Sequence, residues 1–195
     1  MQLDILKGAA VSLALALAPC GAHAATNLVT NGSFETGAFT GWTTNPVSYP
    51  QTILTHTVQD GSYSAQIEGF SYGPNTLSQL IATTSGQSYT LSFWYDAVGA
   101  AANGFDVTWN GATVFSVTNQ VTSGYQHITA NVLGSGSDAL VFTAYNDRYN
   151  TMLDNVSVSA VASAVPEPAT WAMMITGFGA AGVMVRASRR RIAAA

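Results

Sequence analysis

From Asn27 to Ala160 apolar and polar residues alternate in short runs with a period of two, the spacing of strands that bury one face. In Ser88–Asp96, Tyr89, Leu91, Phe93 and Tyr95 fall on one side and Thr90, Ser92, Trp94 and Asp96 on the other, so the first set is predicted core. Phe105, Val107 and Trp109 alternate up to Asn110-Gly111, a residue pair suited to a two-residue type I′ turn, and Thr113–Val117 returns as the second arm of a hairpin. Residues 125–132, 139–145 and 152–160 supply further strands. Turn residues separate the runs, at Asn31-Gly32, Asp60-Gly61, Gly73-Pro74, Ser85-Gly86 and Gly134-Ser135-Gly136. No stretch before Val165 sustains a helical apolar period, and the pattern predicts an all-β sandwich or barrel.

Composition sharpens this picture. Charged residues make up only 8% of the chain, with Ser, Thr, Asn, Gly and aromatics in their place, a mixture that suits strands and turns. Between Ala25 and Val165 eight acids face Arg148 alone. Such a body cannot neutralise a run of phosphates, which excludes a nucleic-acid partner. Residues 1–24 read as a signal peptide, with Lys7, the apolar run Ala9–Ala18 and an A-x-A site at Ala22-His23-Ala24. Cleavage there removes Cys20, the sole cysteine, and with it disulfide and thiol chemistry. The body is then one β-sandwich domain over residues 25–160.

The end of the chain breaks the pattern. Residues 161–168 form a linker holding Pro166-Glu167-Pro168, whose prolines keep the backbone extended. Residues 169–185 carry no charge and would reach roughly 25 Å as a helix, enough to span a membrane with little tilt. Trp171 sits where an interfacial aromatic belongs. Residues 186–195 hold Arg186, Arg189, Arg190 and Arg191, a cytoplasmic stop by the positive-inside rule. Gly177, Gly179, Ala181 and Gly182 would give such a helix a small-residue face. The ordered combination of Pro166, Glu167, Pro168, Trp171, Gly177, Gly179, Arg189, Arg190 and Arg191 resembles the PEP-CTERM sorting signal in its PEPxxWA form, also labelled an ice-binding-protein C-terminal domain. The resemblance implies export, transient anchoring in the inner membrane, processing by an exosortase-type membrane protease, and delivery to the cell surface or to the exopolysaccharide matrix of a biofilm.

The body has a resemblance of its own. Asn27–Trp42 ("NLVTNGSFETGAFTGW"), residues 60–67, residues 77–95 and the late Met152–Val158 ("MLDNVSV") are together similar to the galactose-binding-like jelly-roll β-sandwich, a class that includes many carbohydrate-binding modules. That class implies that the opening Asn-Gly-x-Phe-Glu and closing Leu-Asp-x-Val segments are neighbours near one edge and share a structural calcium, with Glu35 and Asp154 as side-chain ligands. Strict alternation gives Asp154 a reason of its own, because it shares a face with Val156 and Val158 and turns inward with them. An inward carboxylate needs a partner. With Arg148 the only fixed cation in the body, a Ca2+ ion held also by carbonyls around Asn31 and the Asp60-Gly61 turn is one solution, and backbone N–H donors are the other.

Sugar rings stack on exposed aromatic faces. Trp42, after the Gly41 turn, and Trp109, in phase with Phe105 and Val107, read as packing residues, whereas Trp94 is opposite in phase to Leu91 and Phe93 and can face a groove. Tyr145, Arg148 and Tyr149 lie in one loop segment, "YNDRYN", with two amides and Asp147, and complete the candidate ligand set. His56 and His127 sit in no nucleophile or metalloprotease motif, and no phosphate loop or zinc spacing occurs. The expected function is an exported, non-enzymatic module that binds extracellular polysaccharide. A self-assembling matrix or adhesion protein and a carbohydrate-active enzyme with an unrecognised carboxylate pair are the alternatives.

Overall fold

The computed structural model describes residues 26–47, 49–67, 73–99, 102–146, 149–161 and 168–192, the last stretch with side chains at 171–183 and 186. Ten strands form: β1 Thr43–Asn45, β2 Thr52–Leu54, β3 Ser64–Ile67, β4 Asn75–Ala82, β5 Ser88–Ala97, β6 Asn103–Trp109, β7 Ala112–Thr118, β8 Gln126–Leu133, β9 Ser137–Asn146 and β10 Thr151–Ala160. They make two five-stranded antiparallel sheets, β1-β4-β9-β6-β7 and β2-β3-β10-β5-β8. This is the sandwich that the alternation predicts.

The core lies where the period-two pattern puts it. Tyr89, Leu91, Phe93 and Tyr95 of β5 are buried, and so are Phe105, Val107 and Trp109 of β6. Phe93 meets Phe142 and Phe105 edge-on, at centroid separations of 5.4 and 6.1 Å, which ties the two sheets across their middle. Each such fully buried side chain contributes about 1.5–3 kcal/mol of transfer free energy. Asn110 and Gly111 have φ of 50° and 80°, the two positive values that a type I′ turn requires, and they join β6 to β7 as expected.

The opening segment shows why its residues are chosen. Asn31 and Phe34 hold positive φ, a Cβ on Gly32 would lie 2.0 Å from the Val156 carbonyl oxygen, and Phe34 is fully buried against Trp42 at 5.7 Å. Backbone bonds from Leu28 to Val158 and from Val156 to Gly32 lay this segment along the second half of β10. The two signature segments are therefore neighbours, but β10 is the central strand of its sheet and not near an edge.

Strand direction gives the sandwich two distinct ends. The connections β1–β2, β3–β4, β5–β6, β7–β8 and β9–β10 gather at one, called here the tip. The turns β4–β5, β6–β7 and β8–β9 gather at the other, where the chain also leaves β10 toward the tail, so this is the exit end. Helix α1 spans Pro168–Ile192, and proline is well placed at a helix start because its missing N–H would have no partner there. Its described side chains, Trp171 and Phe178 among them, are exposed. Among the described residues no helix is long and apolar enough to cross a membrane, so the span expected over 169–185 is not shown. Residues 1–24 and the Pro166-Glu167 pair lie outside the described residues.

Candidate functional site

The carboxylates of Glu35 and Asp154 grip the same loop. Glu35 Oε1 accepts N–H bonds from Ser62 at 2.9 Å and Tyr63 at 3.0 Å, while Asp154 Oδ2 accepts from Gln59 at 3.0 Å and Oδ1 from Asn155 at 2.7 Å. Gly61 sits between these contacts with φ 78°, and a Cβ there would come within 2.4 Å of Glu35 Oε1. The route by which Asp154 becomes buried differs from the one expected. A β-bulge between Asp154 and Ser157, with Asn155 at φ 47°, shifts the register so that Asp154 pairs with Trp94 on the outer face while Val158 pairs with Leu91 on the inner. Strict alternation fails at that extra residue. Asp154 is fully buried because the loop over residues 55–63 folds across it.

The electrostatics favour a cation. Burial, followed by the nearby Glu35 charge, outweighs the N–H bonds and pushes the Asp154 carboxyl above its ordinary range. Two carboxylates facing one loop without a basic partner among the described residues form a donor set of hard oxygens. The Asn31 carbonyl is already occupied, accepting the Trp42 indole N–H at 3.0 Å and the Phe34 N–H at 3.2 Å, which leaves the Asp60-Gly61 turn as the carbonyl source. No cluster of three or more His, Cys, Asp or Glu side chains placed to hold a metal is found among the described residues.

The aromatic candidates do not share one surface. Trp94 lies half-buried on the outer face of the β5 sheet, stacked on His127 at 4.6 Å, and Ser92 Oγ is 2.7 Å from His127 Nε2. Tyr145 is on the outer face of the opposite sheet, paired with Gly104 at the tip end of β9. Tyr149 stands in the β9–β10 connection and is 46% exposed. Arg148 lies outside the described residues. Tyr145 and Tyr149 thus belong to the tip, and Trp94 to a separate face.

Sequence reasoning missed what organises that tip. Asn75, Asn103 and Asn146 are buried at the strand ends. Asn75 accepts from Val47 N–H at 2.6 Å and donates to the Tyr49 carbonyl at 2.7 Å, Asn103 donates to the Gln120 carbonyl at 2.8 Å, and Asn146 donates to that of Val98 at 3.3 Å. Each amide holds a different loop. Asparagine at the end of an alternating run was the available signal, since a buried amide must find backbone partners. The exit end has its own hub. Fully buried Asp138 accepts bonds from Thr83 Oγ1, Asn110 Nδ2 and the Ser135 N–H and hydroxyl; burial alone would raise its pKa, but these donors bring it down to about 2.

A protein-sorting family model, described as the PEP-CTERM protein-sorting motif, matches residues 164–191. The tail is a PEP-CTERM sorting motif. The chain that carries this PEP-CTERM tail is 31% identical over 157 residues to the multifunctional-autoprocessing repeats-in-toxin of Vibrio vulnificus, a match covering 75% of this chain but only 3% of that protein. In fold it is similar to the CBM22-1 xylan-binding domain of Paenibacillus barcinonensis Xyn10C, with TM-score 0.55 at 19% identity, covering 74% of this chain and all of that one. TmCBM61, solved in complex with β-1,4-galactotriose, gives TM-score 0.54 at 16% identity over 70% of this chain and 99% of that chain. The enzymatically active domain of bacteriophage CBA120 tailspike protein 4 gives TM-score 0.55 at 16% identity over 69% of this chain and 21% of that one. The sandwich is thus an all-β fold of the kind seen in carbohydrate-binding modules, mainly non-catalytic neighbours with one enzymatic domain among them.

Proposed function

We propose that this is an exported, non-enzymatic polysaccharide-binding module, carried by its PEP-CTERM tail to the cell surface or matrix. The observation that supports it best is the pairing of a sorting tail with a carbohydrate-module sandwich whose only exposed Phe, Trp or Tyr residues among those described are Tyr49 and Tyr149. Tyr145, Arg148 and Tyr149 contact glycan, and Trp94 offers a second, separate face. Residues 169–185 hold the chain in the inner membrane with Arg189, Arg190 and Arg191 inside, until an exosortase-type protease processes the tail near Pro166-Glu167-Pro168. A glycan array probed with the full chain tests the reading, and failure to bind any glycan, with and without Ca2+, would remove it. Mass spectrometry of the exported protein should find the arginine tail absent.

Calcium completes the proposal. Glu35, Asp154 and carbonyls of the Asp60-Gly61 turn hold it, tying the opening segment and the loop to β10. When bound it supplies only charge compensation and stiffness. Saturating Ca2+ should raise the melting temperature by about 5–10 °C relative to chelator, from about 2–3 kcal/mol of linkage. An identical melt in chelator would discard the site.

A further inference from the structure

We propose that glycan is gripped at the loop tip, on the ring of Tyr149, and that the bound class is uncharged polysaccharide; this rests on the polysaccharide-binding reading above. Tyr149 is not loosely displayed. Its ring lies over Gly99, at φ 109°, so closely that a Cβ on that glycine would fall 1.9 Å from Tyr149 Cγ. Val98, beside it, bonds through its N–H to the Asn150 carbonyl at 3.1 Å, which fixes the two loops together. A ring held in place before the ligand arrives loses little entropy when a sugar stacks on it.

The surroundings agree. Tyr49 is 52% exposed, and with the exposed Val47, Val98 and Val121 it spreads apolar surface over three of the five tip connections, to which Tyr149 adds a fourth. The described tip connections carry no charge themselves, the carboxylate beneath them being buried Asp96, which accepts from Thr122 Oγ1, while Asn119, Gln120 and Asn150 supply amides. Such a surface suits hydroxyls rather than anionic groups. The buried asparagines Asn75, Asn103 and Asn146 preorganise the loops from beneath.

A second, independent observation singles out the same end. The buried side-chain atoms without a hydrogen-bond partner among the described residues are Gln51 Oε1, Asn146 Oδ1 and Thr151 Oγ1, and all three residues sit at the tip ends of strands. Unpaired polar atoms are costly, and atoms buried this deeply are completed by internal water rather than by a ligand at the surface, so they mark the tip as the end with bonding capacity to spare beneath its loops. The chain leaves for the tail from the opposite end, where Val161 N–H bonds to the Ser88 carbonyl at 2.9 Å. An anchored molecule would therefore present its tip away from its tether.

The test uses the full chain against immobilised neutral glycans (xylan, β-1,4-galactan, β-glucan) and anionic ones (polygalacturonate, alginate), with folding checked by thermal melts. Tyr149→Ala should weaken neutral binding by about tenfold, the loss of roughly one stacking contact. Tyr149→Phe should keep it, Trp94→Ala should weaken it less than Tyr149→Ala does, and Gly99→Ala should weaken it by displacing the ring. Binding lost in Trp94→Ala but intact in Tyr149→Ala would overturn the tip assignment while leaving the polysaccharide reading standing. Selectivity for anionic glycans would overturn the stated class, and self-association abolished by Tyr149→Ala without glycan binding would make the tip an interface between copies. Wild-type failure on every probe would remove the underlying reading itself.

Discussion

The two ends of the sandwich solve the same problem in opposite ways. At the exit end three turns converge on one carboxylate, Asp138, and the bonds from Thr83, Asn110 and Ser135 leave its charge fully used. At the tip three neutral amides each hold a separate loop, the Asp96 carboxylate accepts from Thr122 of one of them, and three buried polar atoms stay unpaired. A charged hub concentrates stability in one place and permits no variation around it. Dispersed amides hold loops in shape while leaving their surfaces free to carry aromatic residues. The difference teaches where to look for function: the end whose bonding is closed on one hub is structural, and the end whose loops are held separately beneath exposed tyrosines is where a ligand can be held.

The largest effect should therefore come from the exit end. Asp138→Ala strands Ser135 N–H, Thr83 and Asn110 around a void and should cost about 3 kcal/mol in chemical denaturation, with m unchanged. A loss under 1 kcal/mol would mean that the turns hold without their hub. Asn75→Ala should cost less, about 1–2 kcal/mol, because it releases one loop only. Amide exchange should then accelerate around Val47 and Tyr49 while protection at Thr83–Gln87 stays unchanged. Acceleration at both ends would erase the distinction between them.

Asp138 also sets a pH signature. Its pKa is about 2 in the fold against an ordinary 3.8, so its stabilisation is fully present above pH 3.8 and is lost as pH falls toward 2. The melting-temperature gap between wild type and Asp138→Asn should be constant from pH 5 to 7 and shrink below pH 4. A gap that instead widened on acidification would reverse the sign and exclude Asp138 as an ionised hub.

Much of this was legible in the sequence, and the failures have particular causes. Period two located β5 and the β6–β7 hairpin because each is bound by local chemistry, the Asn110-Gly111 turn above all. The Asn31-Gly32-Ser33-Phe34-Glu35 motif announced its own geometry, a turn, a close approach, a core ring and a carboxylate. Asp154 was misplaced because a bulge at Asn155 is invisible to alternation, although Leu153-Asp154-Asn155 offered a residue type at ease with positive φ. The separation of Trp94 from Tyr145 could not be read at all, since which face a strand exposes is local but which sheet it joins is not. Gly99 looked like any loop glycine until Tyr149 was found lying on it.

The smallest effects give the sharpest comparison, because one substitution type should change sign between the ends. Thr83 Oγ1 donates to Asp138 and accepts from Gly136 N–H at 3.0 Å, so Thr83→Val removes two bonds from a buried charge network and should destabilise by about 1–2 kcal/mol. Thr151 is fully buried where Thr83 is half-buried, yet its hydroxyl has no partner, and Val occupies the same shape without a polar atom to leave unsatisfied. Thr151→Val should therefore be neutral or stabilising by up to about 1 kcal/mol in the glycan-free protein. If Thr151→Val destabilises as much as Thr83→Val, its hydroxyl is bonded in solution, and the surplus bonding capacity that distinguishes the tip is smaller than the structure indicates.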